Sequence, residues 1–250
     1  MKISNFKGSV SNLKVFKPIQ YLNIVSDNCP DVTNVKLRVR VVNSDTGRVD
    51  EIIPNISLDV LGEICSMNEG FYISSGGYKK FNVNVMLHPT SAVYLSNDKY
   101  LEIDVINRDA ESNITLYGIE SSVVDKEFVC RYNKFYMSAG ELQKTFAVGE
   151  NENLIIPDES FDEVALQFKN GTTCTYLRQE LESLMMMKND IVCLTSRSFD
   201  SVPESSMPEY LYFGYRSMFG LDVEDVDNFT IKRGNSTSAF EIIMIDTLKD

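Results

Sequence analysis

The sequence predicts an all-β chain of two tandem, eight-stranded antiparallel sandwiches, each carrying one short helix. Three observations predict it. Apolar residues recur with period two in most hydrophobic segments, turn signals separate those segments, and one ordered series of elements occurs twice. With 250 residues the chain has room for one large domain or two of about 125.

The alternation is plainest at Leu37, Val39 and Val41, which are separated by Arg38 and Arg40. One face of such a strand is dry and the other charged. Phe81, Val83, Val85 and Leu87 repeat the pattern, as do Leu101, Ile103 and Val105, and Val164, Leu166 and Phe168. Turn signals fall between them at Asp45-Thr46-Gly47, Ser75-Gly76-Gly77, Asn170-Gly171 and Arg233-Gly234-Asn235. Two segments break to helical spacing. Leu177, Leu181, Leu184 and Met185 define a helix over 176–187, and a weaker pattern over 56–65 follows Pro54-Asn55. Met185-Met186-Met187 reads as core filling at that spacing, with an adaptable binding surface as the rarer alternative.

Aligning Asn43 with Asn170 sets an offset of 127 and brings Leu37, Val39 and Val41 onto Val164, Leu166 and Phe168. The helices match with Leu61 on Leu181. Later strands match as Val83, Val85 and Leu87 on Leu211, Phe213 and Tyr215, then Leu101 and Ile103 on Phe229 and Ile231. NITLYGIE and AFEIIMID close the two series. The expected repeats are residues 1–122 and 123–250.

This tandem pattern resembles the double jelly-roll major capsid proteins of tailless icosahedral viruses that enclose a membrane, most of all the small corticovirus type. The residues that carry the resemblance are VALQFKNGTTCTYLRQELESLMMMKNDIVCL and, more loosely, VKLRVRVVNSDTG with ISLDVLGEICSMNEGFYI. It implies a structural virion subunit whose homotrimers form pseudo-hexagonal tiles in an icosahedral shell, assembled in the host cytoplasm. Its partners would be further copies of itself, neighbouring capsomers, penton and minor capsid proteins, and an inner membrane. No catalytic residue is implied.

Composition excludes several other classes. Lys and Arg number 24 against 36 Asp and Glu, a net charge of −12, so direct nucleic-acid binding is not expected. No apolar run is long enough for a transmembrane helix, and the first residues lack the apolar stretch of a signal peptide. Five cysteines without CxxC spacing read as small apolar residues in a reducing compartment. The single histidine, His88, stands before Pro89 without a nucleophile elbow, and a strand-end structural role is the ordinary outcome. Five Asn-x-Ser/Thr sequons, at Asn55, Asn113, Asn170, Asn228 and Asn235, need no glycan in a chain this rich in Asn and Ser. The alternative function is a carbohydrate- or receptor-binding sandwich pair on a phage head or spike. Sugar binders present exposed Trp or Tyr platforms, whereas this chain has no Trp and its twelve Tyr mostly fall inside strand patterns.

Two local features stay open. Asp222, Glu224, Asp225 and Asp227 crowd four carboxylates into six positions. Oxygen ligands at that density suit Ca²⁺, although the EF-hand spacing is missing; a solvated acidic loop is the commoner outcome. No other cofactor is expected. Residues 1–17 carry Lys2, Lys7, Lys14 and Lys17 and no acid. They read either as a basic arm reaching a neighbouring subunit or an anionic membrane, or as a frayed end before a first strand at 13–16.

Overall fold

The computed structural model describes residues 1–26, 28, 32–69, 72–73, 81–88, 91–121, 123–125, 128–151, 153–157, 161–181, 218–234 and 238–249. Nineteen strands are described: β1 (Lys2–Lys7), β2 (Val10–Val15), β3 (Tyr21–Ser26), β4 (Val35–Asn43), β5 (Val49–Ser57), β6 (Tyr72–Ile73), β7 (Phe81–Met86), β8 (Ala92–Val93), β9 (Lys99–Asn107), β10 (Asn113–Ile119), β11 (Val124–Asp125), β12 (Phe128–Met137), β13 (Gln143–Ala147), β14 (Asn153–Pro157), β15 (Glu163–Phe168), β16 (Thr173–Leu177), β17 (Met218–Asp222), β18 (Val226–Lys232) and β19 (Phe240–Lys249). Helix α1 spans Leu58–Glu69, and a second helix begins at Arg178 and is described as far as Leu181.

The strands fall into two sets with one topology. In the first, the sheets run β1-β10-β3-β7-β6 and β2-β9-β4-β5. In the second, they run β12-β19-β14-β17 and β13-β18-β15-β16. Setting aside the short β6, β8 and β11 and counting the strands of each set from one to eight, both sets read 1-8-3-6 and 2-7-4-5. That is the jelly-roll order, in which two Greek keys close a sandwich. By contacts the chain divides into two compact units, Met1–Asn133 with Ile245–Asp250, and Lys134–Met244.

Each sandwich closes on the residues that alternation selects. In the first unit Leu22, Ile24, Leu37, Val39, Val83, Val85, Leu101, Ile103, Val105, Ile114 and Leu116 are buried. The second core gathers Phe146, Leu154, Ile156, Phe161, Val164, Phe219, Phe229, Ile231 and Ile242. Within it Phe146 stacks on Phe229 at 5.1 Å, and Phe161 meets Phe219 edge-on at 5.5 Å.

Both helices leave the fifth strand of their set, and in both the fourth helical residue is a buried leucine, Leu61 or Leu181. The match of Leu61 with Leu181 therefore holds. The starting points differ from expectation. The residues from Asn55 to Ser57 belong to β5, because Leu37 pairs with Ile56 and Lys36 with Ser57; Tyr176 and Leu177 likewise belong to β16, opposite Val164 and Glu163. Register slips at Val39 let Ile52 and Ile53 both turn inward, so β5 loses its period of two.

The register between halves also shifts from the expected one. The first hairpin closes with the Asn43 amide on the Arg48 carbonyl (2.9 Å), the second with the Phe168 amide on the Thr172 carbonyl (2.8 Å). Asn43 is thus the counterpart of Phe168, two residues before Asn170. Pairing agrees: Val41 faces Leu101 as Leu166 faces Phe229, and Val39 faces Ile103 as Val164 faces Ile231. A slip of two keeps every side chain on its face, which is why alternation alone did not resolve it. The later match of Leu101 and Ile103 with Phe229 and Ile231 stands. Leu211, Phe213 and Tyr215 lie outside the described residues; the strand in the sixth position is Met218–Asp222.

The basic N-terminal segment is not an extended arm. Residues 2–7 and 10–15 are the first two strands of the first jelly roll, paired with β10 and β9. The Met1 amino group donates to the Gly118 carbonyl at 2.5 Å, and Lys7 pairs with Glu111. Asn12, in the left-handed region (φ 56°), bulges β2 so that Leu13 follows Val10 across the ladder. The bulge breaks the alternation between Val10 and Leu13, so only the part from Leu13 onward could be read as a strand.

Candidate functional surfaces

His88 is fully buried just beyond β7. Its Nδ1 accepts the Ser91 amide at 3.0 Å, which places the proton of the neutral ring on Nε2, and the Ser91 hydroxyl lies 3.1 Å from Nδ1. The ring thus ties the end of a strand to the loop that follows, a structural task.

The four acidic positions at 222–227 sit around the tight turn from β17 to β18. The Val226 amide closes it on the Val223 carbonyl, and Glu224, Asp225 and Asp227 are exposed. Lys169 spans to this turn, its amide on the Asp225 carbonyl at 2.9 Å and its Nζ on the Glu224 carbonyl at 2.6 Å. Among the described residues no three His, Cys, Asp or Glu side chains are placed to hold a metal ion.

Two further features carry polar chemistry that the sequence pattern does not single out. Arg233 is 5% exposed and donates to three main-chain carbonyls: Nε to Glu141 (2.5 Å), Nη1 to Ser238 (2.7 Å) and Nη2 to Ser138 (2.5 Å). It fastens the β12–β13 turn to the loop before β19. In the first unit Asp98 does similar work. Its Oδ1 accepts the Ser96 hydroxyl, its Oδ2 accepts the Asn43 amide group, and its carbonyl accepts the Ser44 amide (2.6 Å). The Ser96 hydroxyl and a main-chain amide hold the Asp98 carboxyl below its ordinary range. Glu141 is lowered likewise, chiefly by the Ser138 amide.

The outward faces of the two 2-7-4-5 sheets differ. On the first, the middle row across β2, β9, β4 and β5 reads Lys14, Glu102, Arg40, Glu51. Arg40 reaches Glu102 at 2.6 Å and Asp104 at 2.7 Å, and Arg38 reaches Glu51 at 2.6 Å. The adjoining row holds Phe16 beside Tyr100 (5.5 Å), then Val42 and Val49, with Lys14 above the Tyr100 ring. On the second sheet the matching rows read Thr145, Thr230, Ala165, Thr175 and Ala147, Asn228, Gln167, Thr173. Neither of those rows carries a charge.

Paired strand orders and two cores in one chain define a tandem, or double, jelly-roll protein. No family model matches the sequence, and no curated protein matches it by sequence. By structure the chain is similar to the major capsid protein P2 from bacteriophage PM2, with a TM-score of 0.52 at 13% identity, over 100% of this chain and 98% of that one. It is also similar to a chain of Sulfolobus turreted icosahedral virus, with a TM-score of 0.51 at 8% identity, over 99% of this chain and 88% of that one. At such identities the likeness is one of fold, and it extends over both jelly rolls.

Proposed function

We propose that this chain is the major shell subunit of an icosahedral virion, a structural protein located in the capsid. The observation that carries the reading is the doubled jelly roll itself: two complete eight-strand sandwiches in one chain, matched end to end by a bacteriophage major capsid protein. Two similar blocks per chain make six per trimer, so a threefold of this chain is a pseudo-hexagonal tile, with residues 1–122 and 123–250 as the two blocks. Tiles of that shape pack into a shell, and a closed icosahedral shell needs different subunits at its fivefold vertices. Burial between subunits is the only chemistry required.

The test is native mass spectrometry with negative-stain imaging across a salt and Ca²⁺ series. Twelve net negative charges per chain repel on association, so added salt should favour trimers by screening. Trimers and hexagonal arrays support the reading. A chain that stays monomeric throughout and binds a glycan or receptor overturns it.

A further inference from the structure

We infer that the outward face of the β2-β9-β4-β5 sheet is a two-fold contact surface for a second copy of this chain. The inference goes beyond trimer formation: a threefold contact joins unlike patches, whereas this one joins a patch to itself.

The reasoning rests on the order of residues across the sheet. Inward residues on β4 and β9 are the buried Val39, Val41, Leu101 and Ile103, so Arg38, Arg40, Tyr100, Glu102 and Asp104 share the outward face. Consider a two-fold axis between two such faces, parallel to the strands and midway between β9 and β4. It reverses the order of the strands and keeps the rows. The middle row of Lys14, Glu102, Arg40 and Glu51 then meets Glu51, Arg40, Glu102 and Lys14 of the second copy, opposite charges at all four places. In the next row Asp104 meets Arg38 of the second copy. On the other side, Phe16, Tyr100, Val42 and Val49 meet Val49, Val42, Tyr100 and Phe16 of the second copy, apolar on apolar. One operation satisfies three successive rows. Phe16 and Val49, at the two ends of the apolar row, are 67% and 50% exposed in the chain alone, whereas Val42 and Asp104 are already buried, so the apolar surface that a second copy removes from water lies at the two ends of the row. Of the equivalent rows of the second jelly roll, two carry no charge and offer no such match; only the third, where Lys232 lies beside Glu163, is charged.

The size of the face says where the contact acts. Four strands about 4.8 Å apart and three rows about 6.8 Å apart cover roughly 400 Å² per copy. That is below the usual 800 Å² or so per partner of a stable pair. The contact therefore forms where many copies are held together, as between tiles of a shell, and avidity supplies the rest.

The experiment is zero-length carbodiimide cross-linking of the concentrated protein at the salt concentration where trimers and arrays form, prepared as an equal mixture of ¹⁴N and ¹⁵N chains and read by peptide mass spectrometry. Within one chain positions 14 and 51 lie on the first and fourth strands of the sheet, roughly 14 Å apart, too far for a direct amide. The expected result is a 14–51 link carrying one label from each copy. Lys14→Glu and Glu51→Lys, each tested alone, should lose it; an equal mixture of the two variants should regain it, since unlike copies are again complementary. No 14–51 link between copies, or links from Lys14 spread over many carboxylates, would overturn the inference. Trimers and arrays that form without the link leave the shell reading standing and reject this face; if neither forms, both readings fall.

Discussion

Replacing Arg233 tests whether the second jelly roll depends on a buried cation that, among the described residues, is held by main-chain carbonyls. The guanidinium makes three bonds of 2.5–2.7 Å to the carbonyls of Ser138, Glu141 and Ser238. Hydrogen bonds to a charged donor contribute about 1.5–3 kcal/mol each. Two corrections reduce the sum: Ser138 and Ser238 are exposed, so water can replace the donor at their carbonyls, and deleting a buried cation relieves its desolvation. About 1 kcal/mol per bond remains, which predicts a loss of roughly 3 kcal/mol for Arg233→Met. Methionine keeps an unbranched apolar stem, so packing against the Phe240 ring, now 5.2 Å from the guanidinium, is largely retained. Arg233→Lys keeps the charge but not the fork, and should recover about one of the three bonds. The assay is urea denaturation followed by far-ultraviolet circular dichroism, since the chain has no Trp to report by fluorescence. A methionine variant within about 0.5 kcal/mol of the parent, or a lysine variant equal to it, would refute the clasp.

Three further outcomes are expected. Leu181→Ala should destabilise the second unit by about 2–5 kcal/mol through transfer and cavity terms, because Leu181 is buried in its core. Glu180→Ala, although Glu180 is exposed, should cost about 1 kcal/mol instead of the 0.5 kcal/mol of a plain surface site, since its carboxylate accepts the Leu177 amide at 2.9 Å as a helix cap; thermal melts of both variants decide the difference. Asp98 has a depressed pKa in the folded chain, so its contribution is present above the unfolded carboxylate range and fades as pH falls through the folded value. Asp98→Asn should therefore lower the melting temperature at neutral pH and converge on the parent in acid, and a constant gap across pH would count against the assignment.

How much of this was legible in the sequence follows from where the period of two survives. β7 and β15 alternate, and β4 and β9 do so except at Val42 and Asp104, so all four were readable from their apolar residues. β2 and β5 carry bulges at Asn12 and around Val39, and a bulge turns two adjacent residues to one side. The first was therefore read either as part of a basic arm or as a strand only from residue 13, and the end of the second as a helix. The doubling was visible because inward residues repeat, yet its register was uncertain by two. Only the hairpin hydrogen bonds of Asn43 and Phe168 distinguish the two alignments. Arg233 appeared as part of a turn signal, and nothing in its neighbours announces three distant carbonyls. The charged row was half visible: Arg38 and Arg40 marked an outward face, but their partners on β9 and β5 come from pairing across the sheet, which spacing along the chain does not encode.

The two jelly rolls share their strand order and inward residues but not their outward rows, and the contrast has a physical logic. An inward position must fill a fixed volume between two sheets, so Val39 and Val164, or Ile103 and Ile231, stay aliphatic in both. An outward position is constrained only by what it meets. If both rolls met identical neighbours, their outer faces would be under the same demand. One instead presents Lys14, Glu102, Arg40 and Glu51 in alternation, and the other threonines, alanines and amides. Doubling within one chain is what permits this, because each copy of the fold can vary its surface independently. A shell built from six identical sandwiches per tile would present the same set of surfaces at all six positions. A shell built from three doubled chains can present different outward rows at alternate positions, and the self-complementary charged row on the first jelly roll is suited to a two-fold.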